Sequence, residues 1–260
     1  MLKSLIKRIV GPSATIYLRR LQFGYRVAVF RKISGSGQRE CPICGYIGRF
    51  MAAGDPPRYN AVCSSCCSSE RHRLLFLGLQ RLNLLSGSER VLHFAPEACL
   101  IKSLQKASGS YQTAELDPGR ADLALNIEQI DLPDKSVDVV IANHILEHVN
   151  DKKALLELHR ILTDSGRLLV MIPLIEGWAQ SYEDPAITSE SERTLHFGQC
   201  DHVRYFGRDF RDRVLSAGFS LDEFGCDGAD TVKYGLTRGE HLFICTKGTG
   251  SANLDSVQNS

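Results

Sequence analysis

Residues 132–149 read LPDKSVDVVIANHILEHV, and this stretch decides the fold class. Its centre, 137–142, is an apolar run of the length that a buried strand needs. Polar side chains follow at once, beginning with Asn143 and His144. The stretch therefore predicts a strand that ends in a loop rich in chemically active groups.

Similar apolar runs recur along the chain, and helical patterns separate them. The strand-like runs and the helical stretches between them are 91–94, 98–107, 111–116, 137–142, 151–162 and 167–172. Such alternation predicts repeated strand–helix–strand units and a mostly parallel sheet in an α/β fold. Near the end of the chain, 219–224 and 241–246 predict a closing antiparallel pair.

A parallel sheet binds ligands beyond the carboxyl ends of its strands, where the strand order reverses. The loop after the first strand begins Ala95-Pro96-Glu97, where a dinucleotide-binding fold would have glycines. The second strand ends at Glu115, an acid that can accept hydrogen bonds from both hydroxyls of a ribose. These two loops are the first places to expect a cofactor.

Three strings together form a specific pattern: Asn126-Ile127-Glu128, the stretch 132–149, and 157–168, which reads ELHRILTDSGRL. In order and spacing they resemble class I methyltransferases of the type-11 group, over about 90–246. More narrowly, the paired cysteines, the string SERHR at 69–73 and HFAPE at 93–97 resemble a bacterial subgroup with a zinc site. The resemblance implies a Rossmann-like methyltransferase sheet with S-adenosylmethionine as cofactor.

The resemblance also implies roles for residues at the matching positions. Glu115 would hold the ribose, Asn126 and Ile127 would flank the adenine, and the loop 93–97 would cover the methionine part. Asn143, directly after the strand-like run 137–142, completes the implied cofactor site.

The chain departs from the family pattern in the first loop and at Asn126, which replaces the common Asp but has a side-chain oxygen that can still accept from the adenine amino group. His93 stands where the family has an acid, and Ala95 and Glu97 stand where it has glycines. Without the glycines, we expect Glu97 to lie near the ammonium group of the cofactor and His93 to hydrogen-bond the carboxylate of the cofactor.

Two Cys-x2-Cys pairs precede the sheet and are the strongest local signal in the sequence. Cys41 and Cys44 form the first pair, Cys63 and Cys66 the second, and eighteen residues separate the pairs. This spacing is typical of a treble-clef or ribbon-like zinc site with four thiolate ligands. Four protein ligands leave no position for water, so we expect a structural role.

The identity of the fourth ligand stays open at this point, because Cys67 and His72 lie close to the second pair. Reduced, buried cysteines without metal are the competing interpretation. The chain has nine cysteines, and this odd number favours reduced thiols over a disulfide framework. No structural disulfide is expected.

Methyl transfer from a sulfonium requires a positioned acceptor and a base when the acceptor is a hydroxyl or a protonated amine. His144 is the first candidate for that base, His148 the second and His202 the third. A packing or capping role is the alternative for His144. The same string contains His-x-x-Glu-His, a signature of inverted zinc peptidases. It begins where a strand ends rather than inside a helix, and this disfavours a peptidase.

Residues 175–210 form the longest irregular stretch of the main domain and predict a substrate lid. Polar and aromatic side chains are dense here, among them Trp178, Tyr182, His196 and Tyr205. That content suits a sugar, a phosphate or another polar acceptor. A solvated surface loop would have a similar composition.

The first 40 residues are basic, with nine Lys and Arg against Glu40 alone, although the whole chain has a net charge of +1. Residues 2–33 predict one or two basic helical segments with an apolar stripe. A helix docked on its own protein and one bound to a membrane surface or an acidic partner fit equally. No apolar run is long enough for a membrane span, so we expect a cytoplasmic protein, with peripheral membrane contact as an open extension.

The predicted organisation has four parts. They are a basic segment and linker over 1–37, a zinc module with a connecting helix at 70–85 over 38–88, a methyltransferase domain over 89–246, and a disordered tail over 247–260.

The leading functional hypothesis is S-adenosylmethionine-dependent methylation of a small molecule or a glycan precursor. An RNA methyltransferase that uses the basic N-terminus and the zinc module is the first alternative. The second is a non-catalytic, zinc-stabilised binding protein on a methyltransferase fold, because the first loop lacks its glycines.

Overall fold

The computed structural model describes residues 37–54 and 57–247, and the structural statements below refer to these residues. The predicted basic helices at 2–33 and the tail after residue 247 lie outside them and stay predictions. Within the described ranges, no helix combines the length and the apolar character that crossing a lipid bilayer requires.

Short strands come first along the chain, and strands then alternate with helices. The elements are β1 (Arg39–Glu40), β2 (Ile47–Gly48), β3 (Met51–Ala53), β4 (Arg58–Val62), α1 (Glu70–Arg81), β5 (Arg90–Phe94), α2 (Ile101–Ala107), β6 (Ser110–Glu115), β7 (Leu123–Ala124), β8 (Val137–Ala142), α3 (Asp151–Ile161), β9 (Leu162–Val170), β10 (Tyr182–Glu183), α4 (Glu190–Phe197), β11 (Arg204–Tyr205), α5 (Phe210–Ser216), β12 (Phe219–Phe224), α6 (Gly228–Tyr234) and β13 (Leu242–Lys247).

Seven strands form one sheet in the order β12-β13-β9-β8-β5-β6-β7. Strands β9, β8, β5, β6 and β7 pair in parallel, whereas β13 pairs antiparallel with both β9 and β12. The chain begins this sheet at β5, builds outward to β7, and then crosses to β8 on the other side. The strand order reverses between β5 and β8, which is where open parallel sheets bind ligands.

The stretch 132–149 folds as its pattern predicts. Strand β8 is almost wholly buried, as expected of a central parallel strand with both faces covered. Helix α3 then begins where the Asn150 Oδ1 accepts the Lys153 N–H at 3.2 Å, an ordinary N-cap. Leu155 and Leu158 on this helix are fully buried, and their spacing of three places them on one face.

The other predicted helices are present with shifted ends. The stretch predicted helical at 98–107 forms a helix only over Ile101–Ala107. The connecting helix predicted at 70–85 ends at Arg81.

The predicted closing pair is confirmed, since β12 pairs antiparallel with β13. Phe219 lies opposite Lys247 at one end of the pair, and Phe224 lies opposite Leu242 at the other. Lys247, placed in the tail by the sequence, is therefore the last residue of a strand. The strand predicted at 167–172 starts earlier, because Leu162 already pairs with Val137. The sheet is the mostly parallel, Rossmann-like sheet that the sequence predicts.

The chain divides into two compact units, and the first contains the described residues up to Arg73 together with Gly228–Leu236. The second contains Leu74–Asp227 and the described residues from Thr237 onward. The sequence places this boundary at residue 88 and leaves 228–236 in the main domain. The observed boundary instead lies within α1, and a later segment of the chain joins the first unit.

Arg73 explains why that later segment belongs to the first unit. Its side chain is fully buried and donates hydrogen bonds to the main-chain carbonyls of Ala61, Ser68, Tyr234 and Gly235. A buried guanidinium is tolerated only where its donors are paired. One side chain therefore ties strand β4, the turn before α1 and the end of α6 together.

We expect Arg73→Met to lower the free energy of unfolding by about 3 kcal/mol or more, because several buried carbonyls lose a charged donor. Denaturant titration of the full chain measures this. Arg71→Met is the matched control, since Arg71 lies on the same helix but is exposed, and it should change stability by less than about 0.5 kcal/mol. Equal losses in the two variants would contradict the role given to Arg73.

Candidate functional site

The loop after β5 makes its turn at Ala95, whose φ of 48° lies in the left-handed region. Its N–H donates to the Ala114 carbonyl at 2.9 Å, which fixes the loop against the end of β6. Glycine adopts this conformation without strain, whereas a Cβ costs about 1–2 kcal/mol there. The missing glycine is therefore replaced by a strained alanine, and the turn itself is retained.

A polar cluster lies beneath this loop. The His93 side chain is fully buried, with Nδ1 2.8 Å from the Tyr111 hydroxyl. Its Nε2 lies 2.7 Å from Glu97 Oε2, in contact but out of line for a hydrogen bond. The Asn143 amide donates to the other Glu97 oxygen at 3.3 Å. The structure thus brings three of the predicted cofactor residues together and adds Tyr111.

This arrangement limits what His93 can do. Burial raises the pKa of Tyr111, so its hydroxyl stays protonated and can donate to Nδ1. In the tautomer that accepts this bond, the ring proton is on Nε2, facing Glu97. Both ring nitrogens have protein neighbours, and a bond from His93 to a cofactor carboxylate would require one of these contacts to break. His93 is better placed to position Glu97.

The second loop begins at Glu115, the last residue of β6, whose main-chain carbonyl accepts the Leu125 N–H at 2.9 Å. Within the described ranges its half-buried side chain has no hydrogen bond or ion pair. Asp122 stabilises the loop by accepting bonds from both the N–H and the hydroxyl of Thr113, at 2.9 and 2.8 Å. The Glu115 carboxylate thus lies at the sheet edge, at the start of an ordered loop.

The two residues predicted to flank an adenine differ in exposure. Ile127 is 5 % exposed and packs in the main core. Asn126 is exposed, and its Oδ1 accepts the Glu128 N–H at 2.9 Å, although a carbonyl oxygen has a second lone pair. Glu128 in turn accepts the Asn150 N–H at 2.8 Å, which links this loop to the start of α3.

The loop after β8 carries the first candidate base. His144 has a φ of 53°, and its N–H donates to the Met171 carbonyl at 2.8 Å. Few residues other than glycine adopt this region, although histidine is enriched there, and such backbone conformations cluster at functional sites. Residues 143–150 form turns rather than a helix, so His144 and His148 do not lie on one helical face. The peptidase interpretation of His-x-x-Glu-His lacks the helix that it needs.

The third candidate base, His202, meets the second at this loop. Its ring is 4 % exposed and contacts the His148 ring edge-on, with 4.6 Å between centroids. Its Nδ1 donates to the Phe197 carbonyl at 3.1 Å, so the neutral ring has its lone pair on Nε2. Burial lowers the pKa of His202, which favours that neutral form.

Glu147 is the residue that the sequence interpretation passed over. It is 1 % exposed, and one oxygen lies 3.2 Å from His144 Nδ1. Ligand atoms of Glu147, His148 and His202 all lie within 4.8 Å of one another. An acid between two histidines was visible in the string, but its burial and the approach of His202 were not.

A cavity of about 540 Å³ opens beside His148. The stretch predicted to be a lid supplies much of its wall, including Glu183, Arg193 and Arg204. That stretch is more ordered than predicted, since it contains β10, α4 and β11. The volume falls in the range of small-molecule sites, and the lining is rich in charged groups.

The four paired cysteines form a second candidate site, in the first unit. Cys41 Sγ lies 3.6 Å from Cys66 Sγ, and Cys44 Sγ lies 3.7 Å from Cys63 Sγ. Tetrahedral ligands at a zinc–sulfur distance of about 2.3 Å are about 3.8 Å apart. The cluster therefore has the dimensions of one tetrahedral thiolate site.

Each cysteine pair closes its turn in the same way. The N–H of Gly45 donates to the Cys41 carbonyl at 2.9 Å, and the N–H of Cys67 donates to the Cys63 carbonyl at 3.0 Å. Both donors have a positive φ, 72° and 60°. Cys67 thus stands where the first turn has glycine, and it is not one of the four clustered thiols. The Nδ1 of His72, the other alternative ligand, accepts the Ser69 N–H at 3.2 Å.

The surroundings shift the pKa of three of the four thiols. Burial raises the pKa of Cys41 and of Cys63. Burial acts the same way on Cys44, but hydrogen bonds from Tyr46 N–H and the neighbouring thiols lower its pKa to about 7. A divalent cation would stabilise all four thiolates and release protons on binding.

Residues 86–170 match the family model described as "Methyltransferase domain". The chain therefore contains a methyltransferase domain. This match spans β5 to β9, which includes both cofactor loops and the loop with His144 and Glu147. No curated protein matches the sequence.

The methyltransferase domain is also similar to solved structures at low identity. YcgJ from Bacillus subtilis is 14% identical, with 67% of this chain and 98% of that one covered and a TM-score of 0.47. A methyltransferase from Mesorhizobium loti is 12% identical, with 66% and 97% covered and a TM-score of 0.46. For 1,6-didemethyltoxoflavin-N1-methyltransferase from Burkholderia thailandensis, solved with S-adenosylhomocysteine, the values are 16%, 69%, 78% and 0.46. Likeness at this level identifies no acceptor.

We expect Ala95→Gly to raise the free energy of unfolding by about 0.5–1 kcal/mol, because relief of the left-handed strain exceeds the added entropy of the unfolded chain. Thermal and denaturant unfolding measure the change. Ala98→Gly, three residues on and at negative φ, is the matched control and should lower stability. If Ala95→Gly lost as much stability as Ala98→Gly, the backbone strain inferred at Ala95 would be contradicted.

Proposed function

We propose that this protein transfers a methyl group from S-adenosylmethionine to a small polar acceptor. The observation that carries the proposal is the position of the 540 Å³ cavity, which borders His148 in the loop after β8. In a sheet of this topology that loop belongs to the ligand-binding edge. Acceptor and cofactor can therefore meet at the carboxyl ends of β5, β6 and β8.

The cofactor residues keep the assignments that the family resemblance implies. Glu115, with an unpaired carboxylate on an ordered loop, would accept bonds from the ribose hydroxyls. Asn126 and Ile127 would flank the adenine. Glu97, held by His93 and Asn143, would face the ammonium group of the methionine part. When bound, S-adenosylmethionine supplies an electrophilic methyl group, and the chain has to position the acceptor and take up its proton.

We assign the part of the site that acts on the methyl acceptor to Glu147, His148 and His202. Burial lowers the pKa of His202 and so favours a neutral ring whose Nε2 can act as a base, whereas the Nδ1 of His144 is engaged with Glu147. We therefore rank His202 and His148 above His144, in reverse of the order that the sequence favours. A small molecule or a glycan precursor with a polar group to methylate fits a cavity lined by Lys152, Arg193 and several acids.

Calorimetric titration with S-adenosylmethionine tests the cofactor assignment. We expect Glu115→Ala to weaken binding about 10–100-fold, because two hydrogen bonds to a charged acceptor are lost. Asp164→Ala is the matched control, since Asp164 is exposed and pairs only with Lys135 at the surface. The affinity of the Asp164→Ala variant for S-adenosylmethionine should equal that of the unmodified chain.

Three outcomes would contradict the proposal or part of it. Unchanged affinity in Glu115→Ala would mean that the ribose site is misplaced. No binding by the unmodified chain would favour a non-catalytic protein on this fold. Salt-dependent RNA binding together with RNA methylation would replace the small acceptor by RNA.

We further propose that Cys41, Cys44, Cys63 and Cys66 hold one structural zinc ion. The support is the pair of sulfur–sulfur distances, 3.6 and 3.7 Å, and the absence of any other ligand type in the cluster. Among the described residues, Phe50 packs with two of the cysteines in a small apolar cluster, and a bound metal can substitute for a larger core.

We expect one zinc per chain that resists a mild chelator, and Cys63→Ser should lose it because only three thiolates remain. Elemental analysis of the purified chain measures this. Cys67→Gly is the matched control: it removes a neighbouring thiol outside the cluster and places glycine at a φ of 60°. Zinc retained by Cys63→Ser, or lost from Cys67→Gly, would overturn the assignment.

A further inference from the structure

We propose that Glu147, His148 and His202 bind a divalent first-row transition-metal cation beside the acceptor cavity. The binding itself does not depend on the proposed function, whereas the use of the cation in methyl transfer rests on it. When the cation is bound, His148 and His202 are its ligands and no longer act as the base. The three residues come from two distant segments, the loop after β8 and the stretch between α4 and β11.

The ligand set is compact and shielded from water. Ligand atoms of the three residues lie within 4.8 Å of one another, so shifts of about an ångström bring each to roughly 2.1 Å from a shared ion. Glu147 is 1 % exposed and His202 is 4 % exposed, whereas His148 is half-buried and borders the cavity. The site therefore has an inner, protein-facing side and one side that a ligand can reach.

Both histidines have the outer partner that metal-binding imidazoles normally have. His202 donates from Nδ1 to the Phe197 carbonyl at 3.1 Å. His148 Nδ1 lies 3.4 Å from Asp201 Oδ2. In each ring the Nδ1 contact orients the imidazole and leaves Nε2 as the metal-binding atom.

Two buried polar atoms at this site have no hydrogen bond, Glu147 Oε2 and His202 Nε2. A buried acceptor without a partner costs about 1–3 kcal/mol, and more for a charged group. One cation would satisfy both atoms at once. This pair of unpaired acceptors is the observation that distinguishes the cluster from an ordinary packed histidine pair.

The main chain builds the site independently of the ligands. The Val203 N–H donates to the Glu147 carbonyl at 2.9 Å. The Arg204 guanidinium, 7 % exposed, donates to the carbonyls of Leu146 and Val149 at 2.7 and 2.6 Å. These bonds hold the two segments in register, so the ligands are positioned before any cation arrives.

A second cluster in the same unit provides a contrast. Glu176, Glu223 and His241 also lie close together, but Arg211 pairs with both carboxylates at 2.6 and 2.5 Å. A guanidinium already supplies the positive charge there. In the first cluster the neighbouring Arg204 pairs with Glu183 and Asp151 instead of Glu147.

The donor set indicates the kind of cation and of acceptor. Two imidazoles and one carboxylate suit manganese, iron, cobalt or zinc better than calcium or magnesium. Three protein ligands leave positions open, which an acceptor hydroxyl can occupy and there ionise more readily. The proton leaves to water, the oxygen forms its bond to the methyl carbon, and the carbon–sulfur bond breaks with its electrons moving to sulfur. The products are a methyl ether, S-adenosylhomocysteine and a proton.

Cobalt(II) titration of the zinc-loaded full chain tests the site, because visible absorption separates nitrogen and oxygen ligation from thiolate ligation. We expect one Co²⁺ per chain without sulfur charge-transfer bands. Glu147→Gln and His202→Ala should each weaken binding by at least about 100-fold, since outer partners alone are worth about 10–100-fold. Asp201→Asn, which removes only a positioning residue, should weaken it by about 10-fold.

His241→Ala is the matched control, because it removes a histidine from the arginine-neutralised cluster, and it should bind Co²⁺ as the unmodified chain does. If Glu147→Gln does not fold, as judged by circular dichroism, the half-buried His148→Gln gives the same readout. No cobalt binding, thiolate bands alone, or unchanged affinity in these variants would overturn the proposal. Calorimetry with S-adenosylmethionine on the same samples separates this failure from a failure of the proposed function.

Discussion

The parallel pairing of β5 with both β6 and β8 is the constraint on which the candidate site depends. Parallel strands end at the same edge, so loops far apart in sequence open onto one crevice. Glu97, Glu115 and Asn143 each follow a different strand of this set. None of them is chemically unusual alone. The pairing brings them to one edge of the sheet, where the strand order reverses and where we propose the cofactor site.

Local patterns predicted the fold well, and contacts between distant segments were the part that could not be predicted. The apolar run of β8 and the stripe of α3 are encoded within a few residues, so their positions followed from the sequence. Arg73 is different, because its partners are main-chain carbonyls. A carbonyl has no sequence signature, and nothing in 228–236 indicated that it would join the cysteine-containing unit.

The residues of the candidate site also fall into two groups, those that local sequence patterns predict and those that depend on contacts between distant segments. Glu115 and the four cysteines could be proposed from spacing, because strand ends and metal turns impose short, regular intervals. The importance of Glu147 was missed, since it depends on burial and on His202, which arrives from a distant loop. Ala95 shows a third case. A missing glycine indicated a changed turn, yet the backbone keeps the left-handed conformation and accepts the strain.

The bonds from Val203 and Arg204 to the loop after β8 have a consequence for how such enzymes diversify. They fasten the end of the stretch 175–210 to the loop after β8, whereas Glu183, Pro185 and Ile187 earlier in the stretch line the cavity. Changes along that wall can alter which acceptor fits without disturbing the loops that follow β5 and β6. Val203 and Arg204 are the exception, because their hydrogen bonds position the loop after β8. A related chain that exchanged the whole insertion would have to re-form these bonds to keep that loop in place.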